Sequence, residues 1–206
     1  MKTIAIISQK GGAGKTTLAV HLAVAAIVSG KTVAMIDLDP QASATSWKDL
    51  RKEDTPAVVA TPVSRLSHVL ETAARHGADI AIIDTAPHSE SAALAAARAA
   101  DLILIPCRPA ILDLKAIGLT IDLATLAGKL AQVVFNAVPP RDSLADEAMI
   151  AVASYKVPIA PVRICQRAAY VHALTNGQTA QEYDPSSKAA EEIEHLYKWT
   201  CKQVRL

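Results

Sequence analysis

Residues 8–20 read SQKGGAGKTTLAV. An apolar run, TIAIIS at 3–8, leads into this segment, and a helix-periodic stretch at 16–29 follows it. Gly11, Gly12 and Gly14 permit backbone conformations that turn N–H groups inward, and a helix starting behind them adds the positive end of its dipole. A strand, such a turn and a helix together make a cradle for phosphate oxygens. The Ala13 backbone completes the loop. Lys15 is placed for the β- and γ-phosphates of a nucleotide, Thr16 for Mg2+ and Thr17 for the α-phosphate. The usual spacing, G-x-x-x-x-G-K-[ST], asks for glycine where this chain has Gln9. Next to Gln9 stands a second lysine, Lys10, which the pattern does not require. A lysine withdrawn from water costs free energy unless a negative group meets it, so Lys10 asks for a partner.

The rest of the chain repeats the same rhythm. Apolar runs at 32–37, 57–61, 80–84, 102–106, 131–136 and 158–164 read as strands, with helices expected at 46–51, 64–76 and 187–204 and in the Ala- and Leu-rich stretches between strands. The strands are continuously apolar rather than alternating, so both sheet faces are covered. The expected fold is α/β: a doubly wound, mostly parallel sheet with helices on both faces. No linker, repeat or low-complexity tail interrupts 1–206, which predicts a single domain without an N-terminal helix-turn-helix unit.

Composition narrows the function classes. Hydrophobic residues make up 51% of the chain and charged residues 20%, as in a compact globular protein. Net charge is only +1, so nucleic-acid binding would have to come from a local patch. The cysteines, Cys107, Cys165 and Cys201, are scattered and odd in number, which points to reduced thiols in a cytoplasm rather than a disulfide framework or a zinc site. No apolar run is long enough to span a bilayer, and no signal peptide is visible.

Three aspartates end or follow apolar strands: Asp37 and Asp39 after TVAMI, and Asp84 after IAII. In open α/β sheets, ligands bind beyond the carboxyl ends of the strands, so these acids converge on the phosphate loop. Asp84 fits an acid near the Mg2+ shell; Asp39 fits one that orients the attacking water and is a further candidate for the Mg2+ shell. Asp37 either holds a metal-bound water or supports the loop.

These motifs together, KGGAGKTT preceded by no glycine, DLDPQASAT and IAIIDTAP, resemble the deviant-Walker ATPases of the ParA/MinD class. LILIPCRPAILDL at 102–114 is similar to that family's strand after Walker B, and 166–196 looks like the closing segment of small plasmid-partition ParA proteins of the ParF kind. The resemblance implies ATP/ADP and Mg2+ as cofactors, an ATP-dependent sandwich homodimer and slow hydrolysis stimulated by a partner. It implies that Lys10 reaches the phosphates of the other subunit and that Asp39 positions the catalytic water. Asn136 sits where the family often contacts adenine; a strand-end turn cap is the other reading of it.

Within that class, the isolated cysteines argue against an Fe–S member, and 206 residues leave no room for a second catalytic region that hydrolyses glutamine. The C-terminal helix carries mixed charges opposite its apolar face, which suits docking on the domain more than a membrane, with Trp199 the one feature favouring lipid. DNA segregation fits best: a ParA-type partition ATPase with a centromere-binding ParB/ParG-like partner, located on the nucleoid in the cytoplasm. Candidate contacts to non-specific DNA are Arg163, Arg167, Lys188, Lys198, Lys202 and Arg205. The alternative is a ParA/MinD-like ATPase that positions protein complexes for division, chemotaxis or conjugation. His21 and His88 form no metal spacing.

Overall fold

The computed structural model of the protein describes residues 1–140 and 144–206. Six short apolar runs form one sheet: β1 (Lys2–Ile6), β2 (Val33–Asp37), β3 (Ala57–Ala60), β4 (Ile80–Asp84), β5 (Leu102–Cys107) and β6 (Ala131–Phe135). Their order is β3-β2-β4-β1-β5-β6, and every neighbouring pair is parallel. The helices between and after them are α1 (Lys15–Val28), α2 (Ser43–Leu50), α3 (Leu66–Arg75), α4 (Glu90–Ala99), α5 (Ile111–Leu126), α6 (Leu144–Ala153), α7 (Ala168–Thr175), α8 (Ala180–Tyr183) and α9 (Lys188–Val204).

Strand side chains alternate between two apolar layers. Ile4, Ile6, Met35, Ile80, Ile82 and Leu104 face α1, α2, α7, α8 and α9; Ala5, Ile7, Ile36, Ile83, Ile103 and Ile105 face α3 to α6. Covering both faces is why these strands are apolar throughout, and the expected doubly wound sheet is borne out. Helix α1 is apolar nearly all round because it lies between the sheet and α9. The buried face of α9, with Ile193, Leu196, Tyr197 and Val204, covers it, and Tyr197 Oη meets Ser29 Oγ at 2.7 Å. Trp199 packs on the same core. Among the described residues, no helix is long and apolar enough to cross a membrane.

One expected strand is absent. Residues 158–164 run beside β6 but make only isolated bridges, Val133 with Ile159 and Val138 with Cys165. Pro158 and Pro161 have no N–H to give, so a continuous ladder cannot form there.

Register places the site. Asp84 lies opposite Ile6, the last residue of β1, and opposite Asp37, the last residue of β2. The phosphate loop leaves β1 at the centre of the sheet, so both acids stand beside it at the carboxyl edge.

Candidate active site

The phosphate loop is held in shape by two distant parts of the chain. Gly12 and Gly14 take left-handed φ values of +73° and +88°, which a side chain would strain. At Gly14 a Cβ would also lie 2.1 Å from Asn136 Nδ2. That close approach lets the Asn136 amide donate to the Ala13 carbonyl at 2.7 Å. On the other side, the Gln9 N–H donates to Thr120 Oγ1 of α5 at 3.3 Å. The amide of Asn136, a candidate for base contact, is thus shared with the loop itself.

Lys15, at the start of α1, is buried, and its ammonium donates to the Lys10 carbonyl at 3.3 Å. Burial lowers its pKa from the ordinary lysine value, while the negative charges of Asp84 and Asp39 work to raise it. Lys10 belongs to the same loop and is half-buried; among the described residues, no carboxylate lies within salt-bridge distance of its ammonium.

The acids differ sharply in how they are occupied. Asp84 is fully buried; one oxygen accepts from the Thr16 hydroxyl at 2.6 Å, and the other, Oδ1, has no partner among the described residues. Burial raises its pKa to about 7, against the Thr16 hydrogen bond, and the neighbouring charge of Asp37 pushes the same way as burial. Asp37 spends both oxygens at home. Oδ1 accepts from the Asp39 N–H at 3.0 Å, and Oδ2 from the N–H groups of Ala44 at 3.1 Å and Thr45 at 3.2 Å. It therefore ties the first turn of α2 to the end of β2. Asp39 is half-exposed; its carboxylate accepts from the nearby Gln41 N–H at 2.9 Å and its carbonyl from the Ala42 N–H at 2.8 Å.

This set fits Mg2+. An orphaned carboxylate oxygen and an adjacent hydroxyl are hard oxygen donors at one spot, and a buried carboxyl with a raised pKa is relieved by a cation. Mg2+ commonly takes one or two protein oxygens and the rest from phosphates and water.

The six basic residues named from the sequence separate into two groups. Arg163 pairs with Asp146 at 2.7 Å, Arg167 with Glu192 at 2.5 Å, and Lys198 with Glu194 one turn away. Lys188, Lys202 and Arg205 are exposed and have no ion pair among the described residues. His88 is exposed and takes φ +55° in the loop after β4. Cys107 is buried, which raises its thiol pKa to about 12 and leaves it an inert core group. His21, fully buried in α1, and Thr120 in α5 belong to the surroundings of the loop, and nothing in their local sequence marks them out.

Comparison with known proteins agrees with this geometry. Residues 4–180 match the family described as the CobQ/CobB/MinD/ParA nucleotide binding domain. The maintenance of carboxysome distribution protein A of Gloeobacter kilaueensis is 37% identical over 151 residues, covering 68% of this chain and 65% of that protein. The protein of the same name from Halothiobacillus neapolitanus is 27% identical, with 94% of each chain covered. The chain thus spans just under two thirds of the first of these relatives and nearly all of the second. In fold, the septum site-determining protein MinD from Pyrococcus horikoshii, solved with Mg-ADP, superposes with a TM-score of 0.79 at 20% identity, over 98% of this chain and 96% of that one. With its phosphate loop, parallel sheet and strand-end acids, the chain belongs to the MinD/ParA nucleotide-binding family.

Proposed function

We propose that this protein is an ATPase whose ATP-bound form pairs two copies face to face, and whose cycle positions a cargo in the cell. The observation that supports it most directly is the contrast between the two loop lysines. Lys15 is turned into the loop and feels two carboxylates. Lys10 is half-buried without a carboxylate beside it among the described residues. A phosphate held by a second copy would supply the missing charge, and burying the lysine then ceases to be costly.

In this reading the loop N–H groups and Lys15 bind the β- and γ-phosphates, Thr17 bonds the α-phosphate, and Asn136 faces the base. Thr16 and Asp84 hold Mg2+, which neutralises phosphate charge when bound. Asp39 orients the attacking water, and Asp37 fixes the stretch that carries it. Lys10 stabilises charge on the transferring group of the partner copy, as a cation delivered in trans does. Loss of phosphate removes the partner of Lys10 and the pair loosens.

The two relatives named for maintenance of carboxysome distribution favour a protein assembly as cargo. DNA segregation with a centromere-binding ParB/ParG-like partner is the second reading; the exposed Lys188, Lys202 and Arg205 support it, since a dimer doubles their number. Either cycle would use non-specific DNA as its track, placing the protein on the nucleoid in the cytoplasm.

The test is light scattering with ADP and with a non-hydrolysable ATP, each with and without linear duplex DNA. Dimers are expected with the ATP analogue only, and DNA retention only with dimers. Lys10→Ala is expected to bind ATP as a monomer; ATP-dependent dimers of that variant would remove the trans role.

A further inference from the structure

Helix α2 is pinned at both ends. Asp37 holds its first turn. At the other end Arg51, whose side chain is only 2% exposed, forks onto Glu182: Nη1 to Oε2 at 2.9 Å and Nη2 to Oε1 at 2.6 Å. The same guanidinium donates to the carbonyls of Gly177 at 3.1 Å and Thr55 at 2.6 Å. Trp47, midway, donates its indole N–H to the Gln178 carbonyl at 3.2 Å, and its ring lies 5.1 Å from the guanidinium carbon. Gly177 has φ +68°, and a Cβ there would fall 2.5 Å from the Leu50 carbonyl, so segment 177–182 lies directly on the end of α2.

That segment is fixed in turn to α1. Thr179 and Glu182 form a reciprocal capping box at the start of α8. The Ala180 N–H donates to His21 Nε2 at 3.1 Å, while His21 Nδ1 meets the Thr17 carbonyl at 2.7 Å. Since Nε2 accepts, Nδ1 carries the proton: the ring is neutral and bridges the phosphate-loop helix to 177–182. Two halves of the site, the loop on α1 and the acid stretch before α2, are therefore joined by contacts more than a hundred residues away in sequence.

Asp39 needs such a support. Its own contacts, to Asp37, Gln41 and Ala42, are local and travel with the stretch that carries them. Its place relative to the phosphates is set by β2 on one side and α2 on the other. A buried ion pair is seldom more stabilising than apolar packing of equal volume, so what the Arg51–Glu182 fork contributes is orientation.

We infer that Arg51 and His21 are positioning residues for hydrolysis: through segment 177–182 they brace α2 against α1 and so fix where Asp39 stands over the phosphate loop. The inference rests on the ATPase reading above and on Asp39 as the residue that orients water. A displacement of about 1 Å at such a group is enough to cost on the order of a hundredfold in rate.

The test uses the full chain with Arg51→Met, Arg51→Lys and Gly177→Ala, the last acting by bulk and touching no charge. Three quantities are measured: affinity for a fluorescent ATP analogue, single-turnover ATP hydrolysis, and amide hydrogen exchange at Ala44, Thr45 and Ala180. In Arg51→Met and Gly177→Ala, hydrolysis is expected to fall roughly tenfold or more while affinity changes less than about threefold, with faster exchange at all three amides. Arg51→Lys, which keeps the charge and loses the fork, is expected to fall between. Unchanged hydrolysis in both main variants, or hydrolysis and affinity falling together, overturns the brace. If Arg51→Met does not fold, Gly177→Ala and Arg51→Lys decide between the same outcomes. If the wild type hydrolyses no ATP, the ATPase reading falls, and the brace stands or falls on exchange alone: unchanged protection at the three amides overturns it.

Discussion

The Thr16 hydroxyl donates to Asp84 Oδ2 at 2.6 Å, joining the first turn of α1 to the end of β4. The second oxygen of Asp84 is buried and has no partner among the described residues. An acid in this state gains more from a cation than an exposed one does, because the cation offsets the burial that raises its pKa. Asp84→Asn keeps the size and the hydrogen bond and removes the charge. The ratio of ATP affinity with Mg2+ to that with a chelator is expected to shrink by roughly tenfold to a hundredfold, the usual range for losing a group that supports a metal. Calorimetry in the two buffers measures it; an unchanged ratio would take Asp84 out of the cation shell.

Lys15→Ala and Asp39→Ala are expected to fail in opposite ways. The first removes the cation assigned to the phosphates and is expected to abolish ATP binding. The second leaves the loop intact and is expected to bind ATP, hydrolyse it at least about a hundredfold more slowly and accumulate as a dimer. Equilibrium binding and sizing with ATP separate them. Tight ATP binding by Lys15→Ala, or full turnover by Asp39→Ala, would contradict the assigned roles.

His21 gives the fold an acid-sensitive point. Burial lowers its pKa to about 4, against the Thr17 carbonyl and the charge of Glu182, which both favour the charged ring. A folded value below the ordinary 6.5 means the unfolded chain binds the proton first. The stabilising contribution is complete above pH 6.5 and is lost as pH falls towards 4, amounting to on the order of 3 kcal/mol over that window. Denaturant titrations at several pH values are expected to show this slope in the wild type and a flatter one in His21→Gln. Equal slopes would place the acid sensitivity elsewhere.

The basic residues near the C-terminus divide by what already holds them. Arg167 and Tyr170 both bond Glu192, so Arg167→Ala leaves a half-buried carboxylate short of donors and is expected to cost about 1–3 kcal/mol in stability. Lys202 is exposed and has no ion pair among the described residues. Lys202→Ala is expected to leave stability within about 0.5 kcal/mol. If the α9 patch meets DNA, the same substitution lowers the salt slope of binding by about 1 per copy. Melting curves and binding at several salt concentrations test both halves.

What was legible in the sequence was what is local. The phosphate loop is contiguous, and Asp37 and Asp84 announce themselves as the charged ends of apolar runs. The supports of the loop were not legible, since Asn136 meets Ala13, Thr120 meets Gln9 and Arg51 meets Glu182 only after the sheet has formed. No periodicity marks such pairs. The run at 158–164 misled for a physical reason: apolar residues alone suggested a strand, while its prolines lack the donors that a ladder needs. Candidate DNA residues chosen by charge alone included Arg163 and Arg167, whose carboxylate neighbours become visible only when α6 and α9 are in place, and Lys198, whose partner Glu194 stands one helical turn back in the same expected helix.

The packing of α9 over α1 also sets an order of assembly. Residues 188–204, which cover the outer face of the helix that begins at the phosphate loop, follow that helix far along the chain and are synthesised well after it. During synthesis, α1 must therefore wait, apolar on nearly every side, until Leu196 and Tyr197 arrive to close the layer. A nascent chain that stalls before α9 presents its nucleotide loop on an uncovered helix, a sticky half-product that invites chaperones or self-association.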